Sequence, residues 1–100
     1  MLIPGFVWVR VEEPIRSPMS MTWEIRFSAL REDGTLLQGN YSLSESMVFE
    51  MGANIGLWKN IQRDILDRIQ YYRDCGCRLW HDPLTGGEYM LYCLQHGGYK

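Results

Sequence analysis

Between Ser44 and Asp74 apolar side chains hold a helical period longer than anywhere else in the chain. Trp58, Ile61, Ile65, Ile69 and Tyr72 recur at steps of three and four, which places them on one stripe of an α-helix. Lys59, Asn60, Arg63, Asp64, Asp67 and Gln70 fall on the opposite side, and Asp64 and Arg68 stand at the i, i+4 spacing of a solvated pair. Met47, Val48, Met51 and Ile55 extend the stripe back to a serine cap near Ser44, where Ser42-Leu43-Ser44-Glu45 fits a capping box. Gly52 and Gly56 oppose continuity, because each glycine costs a helix interior roughly 1 kcal/mol relative to alanine. The pattern predicts one long helix or two helices meeting at a kink between Gly52 and Gly56, with Gly76 closing the far end. A kink turns Phe49 inward, whereas a straight helix leaves it opposite the stripe; Tyr71 falls on the wet side unless the tail covers it.

Elsewhere the period is two. Phe6 to Val11 alternates and predicts a strand, followed by an irregular connection over Glu13 to Pro18, which carries two prolines. Thr22 to Leu30 alternates most cleanly, with Trp23, Ile25, Phe27 and Ala29 on one face. Asp33-Gly34 then marks a hairpin whose register can be chosen by matching apolar residues. A two-residue loop sets Phe27 against Asn40 and Ala29 against Gln38. A three-residue loop, Glu32-Asp33-Gly34, sets Ala29 against Leu37, Phe27 against Gly39 and Ile25 against Tyr41, so the longer loop is predicted with Gly34 left-handed. Cys77 to His81 and Glu88 to Leu94 predict a second hairpin across a turn rich in proline and glycine. The expected fold is α+β, a small antiparallel sheet of two hairpins and an N-terminal strand, packed against one long or kinked helix.

The 100 residues, 46% hydrophobic, fit one domain, with 1–18 a possible appendage preceding Met19 and Met21 and 95–100 a flexible tail. A net charge of −2 disfavours direct binding to a phosphate backbone. The first ten residues lack the basic lead-in of a signal peptide, no run reaches the ~20 apolar residues of a membrane span, and three cysteines without an export signal point to reduced thiols in a cytoplasm. Four Trp and six Tyr exceed what so small a core readily buries, which places some on the surface.

Chemistry is thinly signalled. Cys75-x-Cys77 and Cys93-x-x-His96, with His81 nearby, supply ligand types for zinc, but the first pair is closer spaced than zinc sites use, and small buried side chains in strands are the plainer reading. No signature surrounds any cysteine, histidine or serine as a nucleophile, and no cofactor is implied. By subtraction the sequence predicts a non-enzymatic module that binds a larger protein; a homodimer is compatible with it. Glu45, Glu50, Asp64, Asp67, Asp74 and Asp82 are the acidic contact candidates and Tyr71 and Trp80 the aromatic ones, a set suited to a partner with a basic nucleic-acid groove. Arg63, Arg68 and Arg73 balance these carboxylates locally. The alternative is a zinc-stabilised module stacking its aromatics on single-stranded nucleic acid. In size and composition alone, the chain resembles small phage and mobile-element accessory proteins, including anti-CRISPR and other anti-defence inhibitors, which implies an inhibitor of a host protein and transfers no residue.

Overall fold

The alternating stretches assemble into one antiparallel sheet in a computed structural model that describes residues 3–52, 55–72 and 78–93. In chain order the elements are β1 (Phe6–Val11), β2 (Ile15–Ser17), β3 (Thr22–Arg31), β4 (Leu36–Ser44), α1 (Glu45–Glu50), α2 (Ile55–Tyr71), β5 (Arg78–His81) and β6 (Glu88–Cys93). The six strands lie in the order β1-β3-β4-β6-β5, and β2 pairs with β3 beside β1. Mixed α+β architecture is therefore present, with β4 and β6 joining the hairpins into one sheet.

The β3–β4 register is the one that matching of apolar residues selects: Ala29 faces Leu37, Phe27 faces Gly39 and Ile25 faces Tyr41. Gly34 takes φ +89, as the three-residue loop requires. Gly39 has its own reason. A Cβ there would run into the Phe27 ring and the Met90 carbonyl, so the absence of a side chain lets the aromatic ring lie across β4.

The helical stretch is broken. Ser44, whose Oγ accepts from Met47 N at 3.3 Å, caps α1, and Gly52 with φ +62 turns the chain before α2. Of the two expected arrangements the structure has the broken one, because the left-handed backbone at Gly52 cannot continue a single helix. The capping box is also corrected: Ser42 belongs to β4, and Glu45 turns to Arg16 Nε at 2.5 Å instead of back to the cap. The break does not turn Phe49 inward, since α1 buries none of its residues and Phe49 stays 87% exposed. A further correction lies at Ile15–Ser17, where a short strand replaces the irregular connection; Pro14 interrupts the sheet margin without ending it.

α2 lays Ile61, Ile65 and Ile69 against the apolar face of the sheet. Ile25, Phe27, Leu37 and Leu91 form the opposing layer. Trp58 stacks on Trp23 at 5.6 Å near the start of α2, and at its end the Tyr72 carbonyl accepts from Arg31 of β3. That cation sits where the helix dipole is negative, and its guanidinium also lies over the Tyr72 ring at 5.5 Å. Phe6 of β1 belongs to the same core. Among the described residues, no helix is long and apolar enough to cross a membrane.

Ile65 is fully buried, so Ile65→Ala should cost about 2–5 kcal/mol by opening a cavity. Gly39→Ala should cost about 1–3 kcal/mol, through overpacking against Phe27 and not a void. Urea unfolding monitored by tryptophan fluorescence measures both; an unchanged midpoint for either refutes the corresponding contact.

Candidate functional site

The flank of α2 that faces β6 and β5 carries most of the polar chemistry. Asp64 on α2 accepts a hydrogen bond from the Tyr89 hydroxyl of β6, and Arg68 Nε approaches the same carboxylate at 3.6 Å. The Arg68 guanidinium spreads over the Tyr89 ring at 4.3 Å and the Trp80 ring at 5.6 Å. Trp80 in turn meets the edge of Tyr72 at 6.3 Å. One arginine thus tiles two aromatic rings while partly neutralising Asp64.

Beside this cluster runs a second, set by the turn between β5 and β6. Asp82 accepts from Leu84 N at 2.9 Å with one oxygen and from the Thr85 hydroxyl at 2.9 Å with the other. Because the Thr85 proton is directed to Asp82, the hydrogen bond of 2.6 Å between Tyr41 and Thr85 must be donated by the Tyr41 hydroxyl. Gly87 N donates to the same Thr85 oxygen at 3.1 Å, and a side chain at position 87 would strike the Tyr41 ring. The two clusters touch where the Tyr41 and Tyr89 rings meet at 4.6 Å.

Burial first, then the hydrogen bond and charge of Asp64, drives the Tyr89 hydroxyl far above the usual phenol range. Burial likewise pushes Tyr41 up to about 12, against the opposing effect of Thr85 and with the charges of Asp82 and Asp64. Both phenols remain protonated and act as donors near neutrality. At the far end of the sheet Arg16, by its hydrogen bond and charge, holds the half-buried Glu45 carboxyl below its ordinary value.

Two clefts open along this flank. The first, about 450 Å³, is lined by the apolar Met51, Leu57 and Leu84 and by the carboxylates Asp64, Asp67 and Asp82. The second, about 430 Å³, is bounded by Asp64, Asp67, Arg68, Tyr71 and Trp80. Asp64 and Asp67 line both. Asp64 is already engaged, whereas Asp67 is exposed and forms neither an ion pair nor a hydrogen bond with the described residues. Tyr71, one helical turn on, is 73% exposed. The arrangement offers an unspent carboxylate between two hollows, next to an aromatic ring.

Of the contact candidates read from the sequence, the structure brings Asp64, Asp67, Tyr71, Trp80 and Asp82 to this flank. Trp80 is half-buried beneath Arg68, and Asp82 is 8% exposed with its carboxylate held by the turn. Glu45 is paired with Arg16, Glu50 is exposed at the end of α1, and Asp74 lies outside the described residues. Cys75, Cys77 and His96 of the zinc set also lie outside them; Cys93 is buried in β6. Among the described residues no three His, Cys, Asp or Glu side chains are placed to hold a metal ion. Thr85, Tyr89 and Tyr41 are not among those contact candidates, although Tyr41 is placed by the β3–β4 register. An Asp-x-x-Thr-Gly-Gly turn signals the Asp82–Thr85 pair, but the Tyr41–Tyr89 contact depends on the β4–β6 register, which no local pattern reveals.

The phenol of Tyr41 makes alkaline stability a test of this cluster. Its pKa is raised on folding, so its contribution is complete below pH 10 and disappears as pH rises toward about 12. The displacement corresponds to roughly 2–3 kcal/mol across that window. Denaturant unfolding at stepped pH should show the decline, and Tyr41→Phe should lessen its steepness; an equal slope for variant and wild type refutes the assignment.

Comparison with protein-family models, with curated proteins and with solved structures finds no match to this chain.

Proposed function

We propose that the protein is a non-enzymatic binding module that docks the α2 flank onto a basic surface of a larger protein and occludes it. The observation that carries this reading is Asp67, an unspent carboxylate bordering both clefts with the exposed Tyr71 ring beside it. Fixed polar partners beneath the clefts support it as well. Asp64, Arg68, Asp82, Thr85, Tyr41 and Tyr89 hold one another, so the contact surface needs little ordering when a partner arrives. Tyr71 supplies apolar area with a polar tip, and Met51, Leu57 and Leu84 supply an apolar wall.

Charge selects the class of target. The first cleft gathers Asp64, Asp67 and Asp82 against Arg63, and Arg68 of the second is spread over two rings, so a cationic partner is favoured over an anionic one. A nucleic-acid-handling protein presents such a surface in its binding groove, and occluding that groove is the inhibitory action proposed for this chain.

The test is capture of a partner from the native cells, followed by titration of the purified pair. Asp67→Lys and Tyr71→Ala alter side chains with no structural duty in the described fold, so each should weaken binding at least about tenfold, the equivalent of 1.4 kcal/mol. Added salt should weaken the wild-type complex and have less effect on Asp67→Lys. Phe49→Ala, remote on α1, should bind as wild type does. A partner that binds all variants equally at every salt concentration overturns the reading, as does catalytic turnover of that partner.

A further inference from the structure

β1 forms one margin of the sheet, and no described strand lies against its outer side. One hydrogen bond reveals which backbone groups face outward. Glu12 N donates to Arg26 O at 2.9 Å, so Glu12 turns its backbone toward β3. By the alternation of an antiparallel ladder Arg10 and Trp8 do the same, while Val9 and Val11 direct their N–H and C=O groups away from the sheet. Exposed margins are ordinarily guarded by proline, lysine or inward-pointing charge. Val7 to Val11 contains no proline and has Arg10 as its one charge, and Val7 and Trp8 are 55% and 41% exposed.

The order of these residues selects the occupant. About Val9, the stretch Val7-Trp8-Val9-Arg10-Val11 reads nearly the same in both directions, with Trp8 mirroring Arg10. An antiparallel second copy centred there sets Val9 against Val9 and, by two-fold symmetry, sets Trp8 against Arg10 twice. Trp8 pairs with Leu30 and Arg10 with Ser28, so both side chains stand on the sheet face opposite the one α2 covers. There each guanidinium would meet an indole. The neighbouring registers are worse. Centring on Arg10 opposes like charges, and centring on Trp8 opposes Arg10 to Phe6, which is buried in the core. Val9 also has the outward backbone needed at the centre of a hydrogen-bonded pair. A bulge between Phe6 and Trp8 bounds the ladder at Val7.

We propose that the protein self-associates through β1 as a two-fold dimer whose sheet runs continuously from one copy into the other. The half-buried Val9 and Val11, at the border of the core, gain cover from the second copy.

Sedimentation equilibrium of the full chain over a range of concentrations, combined with amide hydrogen exchange, tests this. Dimer formation should slow exchange at Val9 and Val11, whose amides have no partner strand among the described residues. Trp8→Lys should raise the dimer dissociation constant about tenfold or more, because like charges then oppose one another twice. Adding Arg10→Glu to Trp8→Lys should restore association, which no effect on monomer folding would do. Val9→Pro removes an outward N–H without touching the β3 ladder and should abolish the dimer. Circular dichroism establishes that each variant is folded. A chain monomeric at every concentration overturns the proposal, and so does a dimer that leaves Val9 unprotected or one that Trp8→Lys does not weaken. Where a variant fails to fold, protection of Val9 on dimerisation of the wild type decides alone.

Discussion

Burial of Ile61, Ile65 and Ile69 against one face of the sheet is the constraint on which the rest depends. Three isoleucines at helical spacing can be dried only if the strands beneath present an apolar surface of matching length. Ile25, Phe27, Leu37, Tyr41 and Leu91 provide it from β3, β4 and β6, and Gly39 makes room for Phe27 within it. With the axis of α2 fixed in this way, its flanks acquire distinct duties. Gln62 reaches the Glu12 carbonyl at 3.0 Å on the β1 side, and Asp64 and Arg68 meet Tyr89 and Trp80 on the other. The position of the polar flank is therefore a consequence of the apolar stripe.

Those polar contacts are not independent decorations. Tyr41 and Tyr89 are core residues by their rings, yet each ends in a hydroxyl that must find an acceptor once water is excluded. Asp64 and the Thr85–Asp82 pair are those acceptors. Removing either would leave a buried donor unsatisfied, so residues that look solvated in the sequence are bound to the stability of the sheet. Asp67 carries no such obligation, which sets it apart from Asp64 on the same helix.

The legible parts of the fold were those fixed by neighbours in sequence. Ala29 opposite Leu37 could be read because a hairpin loop of known length relates them, and a slip by one residue would turn an apolar face to water. The helical stripe could be read for the same reason. Less legible was any feature decided at long range. Ser44 and not Ser42 caps α1 because β4 runs on to Ser44 in register with Thr22, and Glu45 abandons the capping box for Arg16, distant in sequence. Ile15–Ser17 becomes a strand because the margin of β3 is open there, despite the prolines on either side. At the candidate site, Asp64, Asp67 and Tyr71 were readable as one helical flank. Their meeting with Trp80 and Asp82 required the β5–β6 hairpin to dock beside α2, which neither local spacing nor composition prescribes.

The order of strands gives the two proposed surfaces a geometric relation. β1 stands at one margin of the sheet and β5 at the other, so the flank formed by α2, β5 and β6 lies away from the edge through which two copies would join. Dimerisation would therefore leave both Asp67–Tyr71 flanks open, facing outward from a shared sheet. Against a target that is itself two-fold or repetitive, one engaged flank raises the effective concentration of the second, and avidity can exceed either affinity by roughly 10²–10⁴ when the spacing matches. On the proposed reading, a small net charge and two modest clefts would suffice for occlusion, because the affinity would be built from two contacts held at a fixed distance by continuous β-structure.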